Sequence, residues 1–155
     1  MNFERLIAPG SVAPSLRASS KKQLFHELAN RVADAEGLEA RAVFDALMER
    51  ERLGATAMGR GVAIPHARMA EVSEIRGYFA RLERAVDFDA PDGVPVDLVF
   101  VLLAPEDAGA DHLRALAKVS RLLRDEVRCS KLRSTADASA IFAILADEAT
   151  SSRAA

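Results

Sequence analysis

Apolar residues recur at helical spacing in four stretches of the 155-residue chain. Each stretch carries an apolar stripe that one face of an amphipathic helix would bury, and polar residues that can cap a helix stand before two of them. The predicted helices begin near Ser20, Glu39, Asp111 and Ala138. The first ends near Gly37, because glycine adopts the left-handed conformation that terminates helices.

Extended segments are predicted between the helices. Gly61 to Pro65 and Ile75 to Leu82 have the composition of short strands. Val94 to Leu103 is nearly continuous in apolar residues, as is typical of a central strand covered on both faces. Pro9, Gly10 and Pro14 punctuate the start of the chain, so Val12 to Leu16 is expected to form a loop or a short strand. Leu53 to Gly61 is expected to form a surface loop.

Helices therefore flank four or five strands with no linker-like segment between them. This pattern predicts an α/β (α+β) fold in which one domain, residues 1–155, has a sheet with helices on both faces. The core is expected to cover about 6–148. The tail 151–155 is expected to fray.

Composition and charge narrow the function classes. Half of the residues are hydrophobic, which suffices for a real core, and the formal charge of −2 provides no basic field for nucleic acid. The longest apolar run, Leu98 to Ala104, is much shorter than the roughly 20 residues that cross a membrane. Without the features of a signal peptide, the expected location is the cytosol. The single cysteine, Cys129, is expected to be a partly buried thiol near a helix end.

Three histidines are available for chemistry. His26 lies within a predicted helix and is expected to be a surface or boundary residue. His66 follows a predicted strand and Pro65, which fixes its own φ and holds the next side chain in a defined direction. The glycines before that strand can bring backbone N–H groups to an anion, and a neutral imidazole is a good nucleophile.

His112 strengthens this interpretation because it falls in the first turn of a predicted helix, after the central strand. Ligands gather where strand ends meet helix N-termini, and the helix dipole there disfavours an imidazolium. Arg50 and Arg52, at the end of the second predicted helix, are candidates to clamp a phosphate in bidentate geometry. Spacing alone does not choose between the two arginines.

The segment 51–67 resembles a known phosphorylation signature. It contains an acidic residue, Glu51, a spacer, the pair Met58-Gly59, and the core Val62-Ala63-Ile64-Pro65-His66. This pattern is similar to that of the fructose/mannitol class of enzyme IIA in the bacterial phosphoenolpyruvate-dependent phosphotransferase system. The resemblance extends over about Leu6 to Leu145, through Asp111-His112-Leu113. Within this class, the chain is most similar to the nitrogen-regulatory enzyme IIA, in Leu6-Ile7-Ala8-Pro9, in the helix start 19–24, in the segment 50–54 and in having a separate domain.

The resemblance implies a mixed sheet sandwiched by helices and a phosphoryl group carried on His66. His112 is then the supporting histidine and Arg50 the phosphate clamp. Further binding residues are expected at Thr56, Gly59, Arg60 and Arg52, and neither a cofactor nor a metal is implied. Ala55, Ala57, Arg60 and Ala67 depart from the residues common in similar proteins.

The resemblance also implies partners. The donor is a small phosphohistidine carrier protein, and the regulated targets are proteins such as kinases or ion-transport proteins. Separately, Met58, Val62 and Met69 are candidates for an apolar docking surface, and the alternative is that they are ordinary core or rim residues. The alternative is a sugar-specific enzyme IIA that passes phosphate to a transporter IIB domain. A metallohydrolase has poor support, because no histidine pair has metal-ligand spacing.

Overall fold

Six helices and six strands are found in residues 3–147, the part of the chain that the computed structural model describes. The helices are α1 Phe3–Leu6, α2 Lys21–Glu36, α3 Ala40–Arg52, α4 Gly109–Arg124, α5 Glu126–Arg133 and α6 Ala138–Ala146. The strands are β1 Val12–Leu16, β2 Ala57–Gly59, β3 Val62–Ala63, β4 His66–Met69, β5 Arg76–Val86 and β6 Val96–Pro105. No helix within residues 3–147 is both long and apolar enough to cross a membrane.

The strands form one mixed sheet centred on β6. Strand β5 pairs with it in antiparallel orientation on one side, and β3 and β4 pair with it in parallel on the other. Strand β1 lies parallel to β5, and β2 lies antiparallel to β3. The predicted α/β class and mixed sheet are confirmed. Six strands replace the expected four or five, because the segment 57–69 divides into three short strands.

Successive side chains of β6 point to opposite faces of the sheet, so this strand contributes to both layers of the core. Helices α2 and α3 cover one face of the sheet, whereas α1, α4, α5 and α6 cover the other. One face of β6 contributes Val99, Val101 and Leu103 to the α2–α3 layer. The opposite face contributes Leu98, Phe100 and Leu102 to the α4 layer. Full burial on both sides explains why this strand is nearly all apolar.

Helix α2 begins and ends at the residues that the sequence predicted. The Ser20 hydroxyl accepts a hydrogen bond from the Gln23 amide at 3.1 Å, and Gly37 ends the helix with φ of 69°. The predicted cap of α4 is wrong. A turn in which the Ala108 amide donates to the Pro105 carbonyl lets the helix start at Gly109, so Asp111 lies inside the first turn.

Two other segments differ from the predictions. Leu53 to Gly61 is not wholly a loop, since β2 pairs there with β3. The turn that joins them requires Gly61, whose φ is 80° and where a Cβ would lie 2.8 Å from Arg133 Nη2. Helix α5 was not predicted, and Cys129 is buried within it. Glu148 and the tail 151–155 lie outside the described residues.

Candidate functional site

An open cleft of about 650 Å³ lies where the end of α3, the strand β4 and the start of α4 meet. Both candidate histidines and one candidate arginine line it. Its lining residues include Glu49, Arg50, Leu53, His66, Arg68, Glu106, His112 and Leu113. Residues far apart in sequence thus converge at the carboxyl end of β6, as expected for ligand sites in open sheets.

His66 begins β4 and pairs with Leu102 of the central strand. Val62 and Ile64 belong to the α4 layer of the core, so the alternation of strand side chains directs His66 toward the same face. Pro65 interrupts the edge between β3 and β4, while its carbonyl still accepts a hydrogen bond from Leu102 N at 3.0 Å. The side chain of His66 is therefore held by the sheet at a break between two short strands.

The imidazole of His66 is fixed in one tautomer by its own backbone. Its Nδ1 lies 2.7 Å from the carbonyl oxygen of Ile64. A carbonyl oxygen can only accept, so Nδ1 carries the hydrogen. In the neutral ring the lone pair is consequently on Nε2, which makes this nitrogen the nucleophilic atom.

His112 packs against His66 from the first turn of α4. The ring centroids are 5.5 Å apart and the ring planes make an angle of 72°. His112 is 7% exposed, so it is not the exposed helix-start residue that its position alone would suggest. Its Nε2 is buried and has no hydrogen-bond partner within residues 3–147. A buried polar atom of this kind marks a place where a ligand can complete the hydrogen bonding.

Both rings are held neutral at physiological pH. Burial lowers the pKa of His66, the hydrogen bond to Ile64 partly offsets this change, and the charge of Arg50 lowers the pKa further. Burial is also the main reason that the pKa of His112 falls to about 4, with smaller contributions from His66 and Arg68. The pair therefore presents one nucleophile and one neutral N–H donor.

These shifts predict a specific titration. Because a lowered pKa keeps an imidazole neutral to lower pH, we expect His112 to titrate near pH 4 and His66 to titrate below the usual range of histidine. NMR titration of the ring protons measures both values. Arg68→Gln removes a positive charge that lowers the pKa of His112, so that pKa should rise. A midpoint for His112 at or above neutrality would contradict the described packing.

Arg50 is the arginine that the structure brings to the cleft. Its Nη1 donates to the carbonyl of Gly54 at 2.9 Å, which holds the guanidinium beside the loop that follows α3. Arg52 is exposed and does not line the cleft. Arg50 and Arg52 lie on different sides of α3, so the structure makes the choice between them that spacing alone did not.

His26, by contrast, is exposed and stacks on Phe44 of α3, with the ring centroids 3.8 Å apart. This agrees with its expected role as a surface residue. Within residues 3–147, no three histidine, cysteine or acidic side chains are grouped closely enough to hold a metal ion.

Comparison with known families places this cleft in context. Residues 5–148 match the family described as phosphoenolpyruvate-dependent sugar phosphotransferase system, EIIA 2. The chain belongs to this family. The enzyme IIA proteins of this system are components of a phosphotransferase.

Several similar enzyme IIA proteins are nitrogen regulatory proteins. That of Bradyrhizobium diazoefficiens is 55% identical over 146 residues, covering 94% of this chain and 95% of the relative. The crystal structure of IIA-Ntr from Neisseria meningitidis superposes with a TM-score of 0.87 at 37% identity, covering 92% and 98%. A fructose-specific EIIABC component of Bacillus subtilis is 33% identical over 130 residues, which cover 83% of this chain and 20% of that protein.

Three residues expected to bind phosphate in this enzyme IIA do not line the cleft. The Thr56 hydroxyl is buried and donates to Glu51 Oε1 at 2.6 Å, so its only hydrogen is already engaged. Gly59 ends β2, and Arg60 lies in the turn that leads to β3, where its guanidinium pairs with Glu126 of α5. The Arg60 cation therefore supports the turn and is directed away from the two histidines.

Other residues at the cleft were missed from sequence. Arg68 shares its face of β4 with His66 and is exposed, adding a second positive charge at the cleft. Leu53 and Leu113 lie at its rim with 83% and 68% exposure. Val62 and Met69 are buried, and Met58 is half-buried against the core, so the three residues take the core position that the sequence left open rather than forming a docking surface. Leu113, which directly follows His112 in the sequence, was the available signal.

Proposed function

We propose that the protein is a nitrogen-regulatory-type enzyme IIA that accepts a phosphoryl group on Nε2 of His66. The donor is a small phosphohistidine carrier protein, and the phosphorylation state regulates partner proteins. One observation carries the chemical part of this proposal. The Ile64 carbonyl holds the hydrogen on Nδ1 of His66, so that the nucleophilic Nε2 belongs to a ring that faces His112 in an open cleft.

The transfer is an in-line exchange between two imidazole rings. The lone pair on Nε2 of His66 forms the new N–P bond as the N–P bond in the donor breaks, and the donor imidazole leaves with that electron pair. The phosphorylated ring of His66 retains its Nδ1 hydrogen and carries a positive charge. The Ile64 carbonyl, 2.7 Å away, stabilises that charge.

Arg50 and His112 provide the charge stabilisation that phosphoryl transfer needs. The planar guanidinium of Arg50 can donate two parallel hydrogen bonds to the equatorial oxygens. The neutral His112 ring can donate one more from Nε2, which satisfies an atom that otherwise has no partner within residues 3–147. The first turn of α4, where Gly109 lines the cleft, adds a favourable dipole.

Regulation follows from where the phosphoryl group is placed. It adds negative charge between Leu53 and Leu113, the exposed apolar residues at the rim. A target that binds this rim through apolar contacts would lose affinity when the charge appears, and no large conformational change is needed. Target proteins such as kinases or ion-transport proteins are therefore proposed to distinguish the two states at this rim.

The sugar-specific alternative and the regulatory proposal differ in whether the phosphoryl group on His66 passes to a transporter domain. The phosphorylated protein would be mixed with IIB domains of sugar transporters and each sugar, and phosphate transfer to the sugar would be measured. We expect binding to regulatory targets to depend on phosphorylation, with little sugar turnover. Efficient turnover with one sugar would replace the regulatory proposal by the transport function.

The supporting role of His112 predicts a slower but surviving reaction. His112→Gln removes the ring that packs on His66 and, with it, the proposed Nε2–H donor, while Gln keeps a donor on a side chain of similar size. We expect the acceptance rate to fall by about 10- to 100-fold, since one donor to the developing charge is displaced. Single-turnover kinetics with the phosphorylated carrier measure this rate. Complete loss in a folded variant would show that His112 is essential rather than supporting.

The apolar rim predicts a separate effect on docking. Leu113→Asp places a charge on an exposed residue that lines the cleft, so carrier binding should weaken while the chemistry at His66 is retained. We expect a higher KM for the carrier, by about 10-fold, with kcat nearly unchanged. Val127→Asp is a matched control, because Val127 is an exposed residue of α5 that does not line the cleft. Equal effects of the two substitutions would exclude docking at Leu113.

A further inference from the structure

A continuous series of hydrogen bonds connects the start of α2 with the imidazole of His66. Lys21 Nζ lies 3.0 Å from Glu51 Oε2, and the same oxygen accepts from the Thr56 amide at 2.8 Å. The Thr56 carbonyl accepts from Ile64 N at 3.1 Å. Ile64 O then accepts from Nδ1 of His66 at 2.7 Å. Lys21, Glu51, Thr56 and Ile64 are called the Glu51 network below.

The Glu51 network also reaches Arg50 through the loop after α3. The Gly54 amide donates to the carbonyl of Glu51 at 3.1 Å. The Gly54 carbonyl in turn accepts from Arg50 Nη1 at 2.9 Å. Hydrogen bonds thus link both side chains that act on the phosphoryl group to the segment 51–56. Arg50 is linked directly, and His66 is linked through Ile64.

The burial of Glu51 is unusual for a carboxylate. Its residue exposure is 6%, and an ionised group in such surroundings needs compensation. Lys21 supplies the opposite charge, and Thr56 supplies two donors, the amide and the hydroxyl. Lys21 is itself held by the Phe88 carbonyl at 3.2 Å and lies 4.7 Å above the Phe88 ring. Every oxygen of the carboxylate is therefore engaged.

Such an arrangement fixes geometry more than it adds stability. Replacing a buried ion pair by apolar residues of similar volume is often neutral or stabilising, so stability alone gives little reason for the pair. A fully bonded polar network does, however, hold its members in one arrangement. The carboxylate of Glu51 also acts on the nucleophile directly, since its charge raises the pKa of His66 and opposes the effect of burial.

We propose that Glu51 is a positioning residue for phosphoryl transfer, and that Lys21 and Thr56 hold it in place. Through Thr56 and Ile64, the Glu51 network sets the carbonyl that selects the Nδ1–H tautomer of His66. Through Gly54, it sets the guanidinium of Arg50. This inference rests on the proposed role of His66 as the phosphoryl acceptor, but the tautomer can be measured without any phosphate.

The test uses substitutions that alter the network without touching the cleft. Thr56→Val removes only the hydroxyl that donates to Glu51, and Thr56→Ser restores it. Glu51→Gln removes the charge that pairs with Lys21. Asp45→Asn is the matched control, because it breaks the exposed pair with Arg41 on the same helix. If Glu51→Gln does not fold, the Thr56 variants carry the test alone.

Two readouts separate positioning from a merely structural role. Nitrogen-15 NMR of the unphosphorylated protein reports the fraction of His66 with hydrogen on Nδ1. We expect that fraction to fall in Thr56→Val and Glu51→Gln and to recover in Thr56→Ser. Single-turnover kinetics should show acceptance slowed by up to about 100-fold with carrier KM unchanged.

The outcomes also distinguish this inference from the proposed function. If Thr56→Val and Glu51→Gln both keep the wild-type tautomer and rate, as Asp45→Asn should, the positioning role is overturned. His66 would still be the acceptor. A shifted tautomer in a protein that never accepts phosphate would retain the positioning role and overturn the proposed function.

Discussion

Replacing His66 by glutamine is expected to abolish phosphoryl acceptance. The substitution removes Nε2, the only atom of this protein that forms a bond to phosphorus in the proposed mechanism. His66 is half-buried at the start of β4, and glutamine is close to it in size, so the fold should be retained. Intact-mass measurement after incubation with the phosphorylated carrier gives the result, and circular dichroism confirms the fold.

His26→Gln is the control for this substitution. His26 is exposed and stacks on Phe44, away from the cleft, so its replacement should leave acceptance at the wild-type level. Phosphate that persists in His66→Gln but disappears in His26→Gln would move the acceptor site to α2 and overturn the proposed mechanism.

Replacing Arg50 by glutamine should cause the second-largest loss. Its guanidinium lines the cleft, where its charge acts on His66, and we propose that this charge offsets that of the transferring phosphoryl group. Removal of a preorganised donor of this kind typically slows a reaction by about 10²- to 10³-fold. We expect this loss in single-turnover acceptance. Arg50→Lys should recover only part of it, because an ammonium group lacks the planar fork.

Arg52→Gln provides the matched comparison. Arg52 lies two residues further along α3, is exposed and does not line the cleft. Its replacement changes the net charge of the protein by the same amount, so a general electrostatic effect on carrier association would appear in both variants. Equal losses in Arg50→Gln and Arg52→Gln would contradict the specific role of Arg50.

Local patterns predicted the elements whose sequence and packing agree. Ser20 caps α2 and Gly37 ends it, because each residue favours its terminal conformation before any tertiary contact forms. The continuous apolar run of β6 reflects burial on both faces. These features are local, so the sequence contains all the information that is needed to place them.

Elements that depend on distant contacts were not predicted. Strand β2 is three residues long and contains two small residues, and it exists because it pairs with β3. Helix α5 has little apolar periodicity and buries Arg128, a residue that sequence patterns place at the surface. The start of α4 was misplaced because a turn at Pro105 to Ala108, rather than the Asp111 side chain, begins the helix.

The candidate site also combines features that local patterns predict with features that depend on distant contacts. Pro65 and the strand before it indicated a positioned His66, and a helix start indicated His112. The contact between the two rings depends on how α4 crosses the sheet, which no local pattern specifies. The family resemblance implied that Thr56 is a binding residue, yet its hydroxyl donates to the buried Glu51. Spacing identifies which residues belong together but not the direction in which each side chain points.

Localising the phosphoryl group on the wild-type protein tests the central proposal most directly. The protein would be incubated with phosphoenolpyruvate, enzyme I and the small carrier protein, and then analysed by intact-mass measurement and by nitrogen-15 NMR of phosphorus-coupled imidazole rings. We predict one acid-labile phosphoryl group, bonded to Nε2 of His66. A phosphoryl group on any other residue, or on Nδ1 of His66 in place of its hydrogen bond to Ile64, would contradict the proposal.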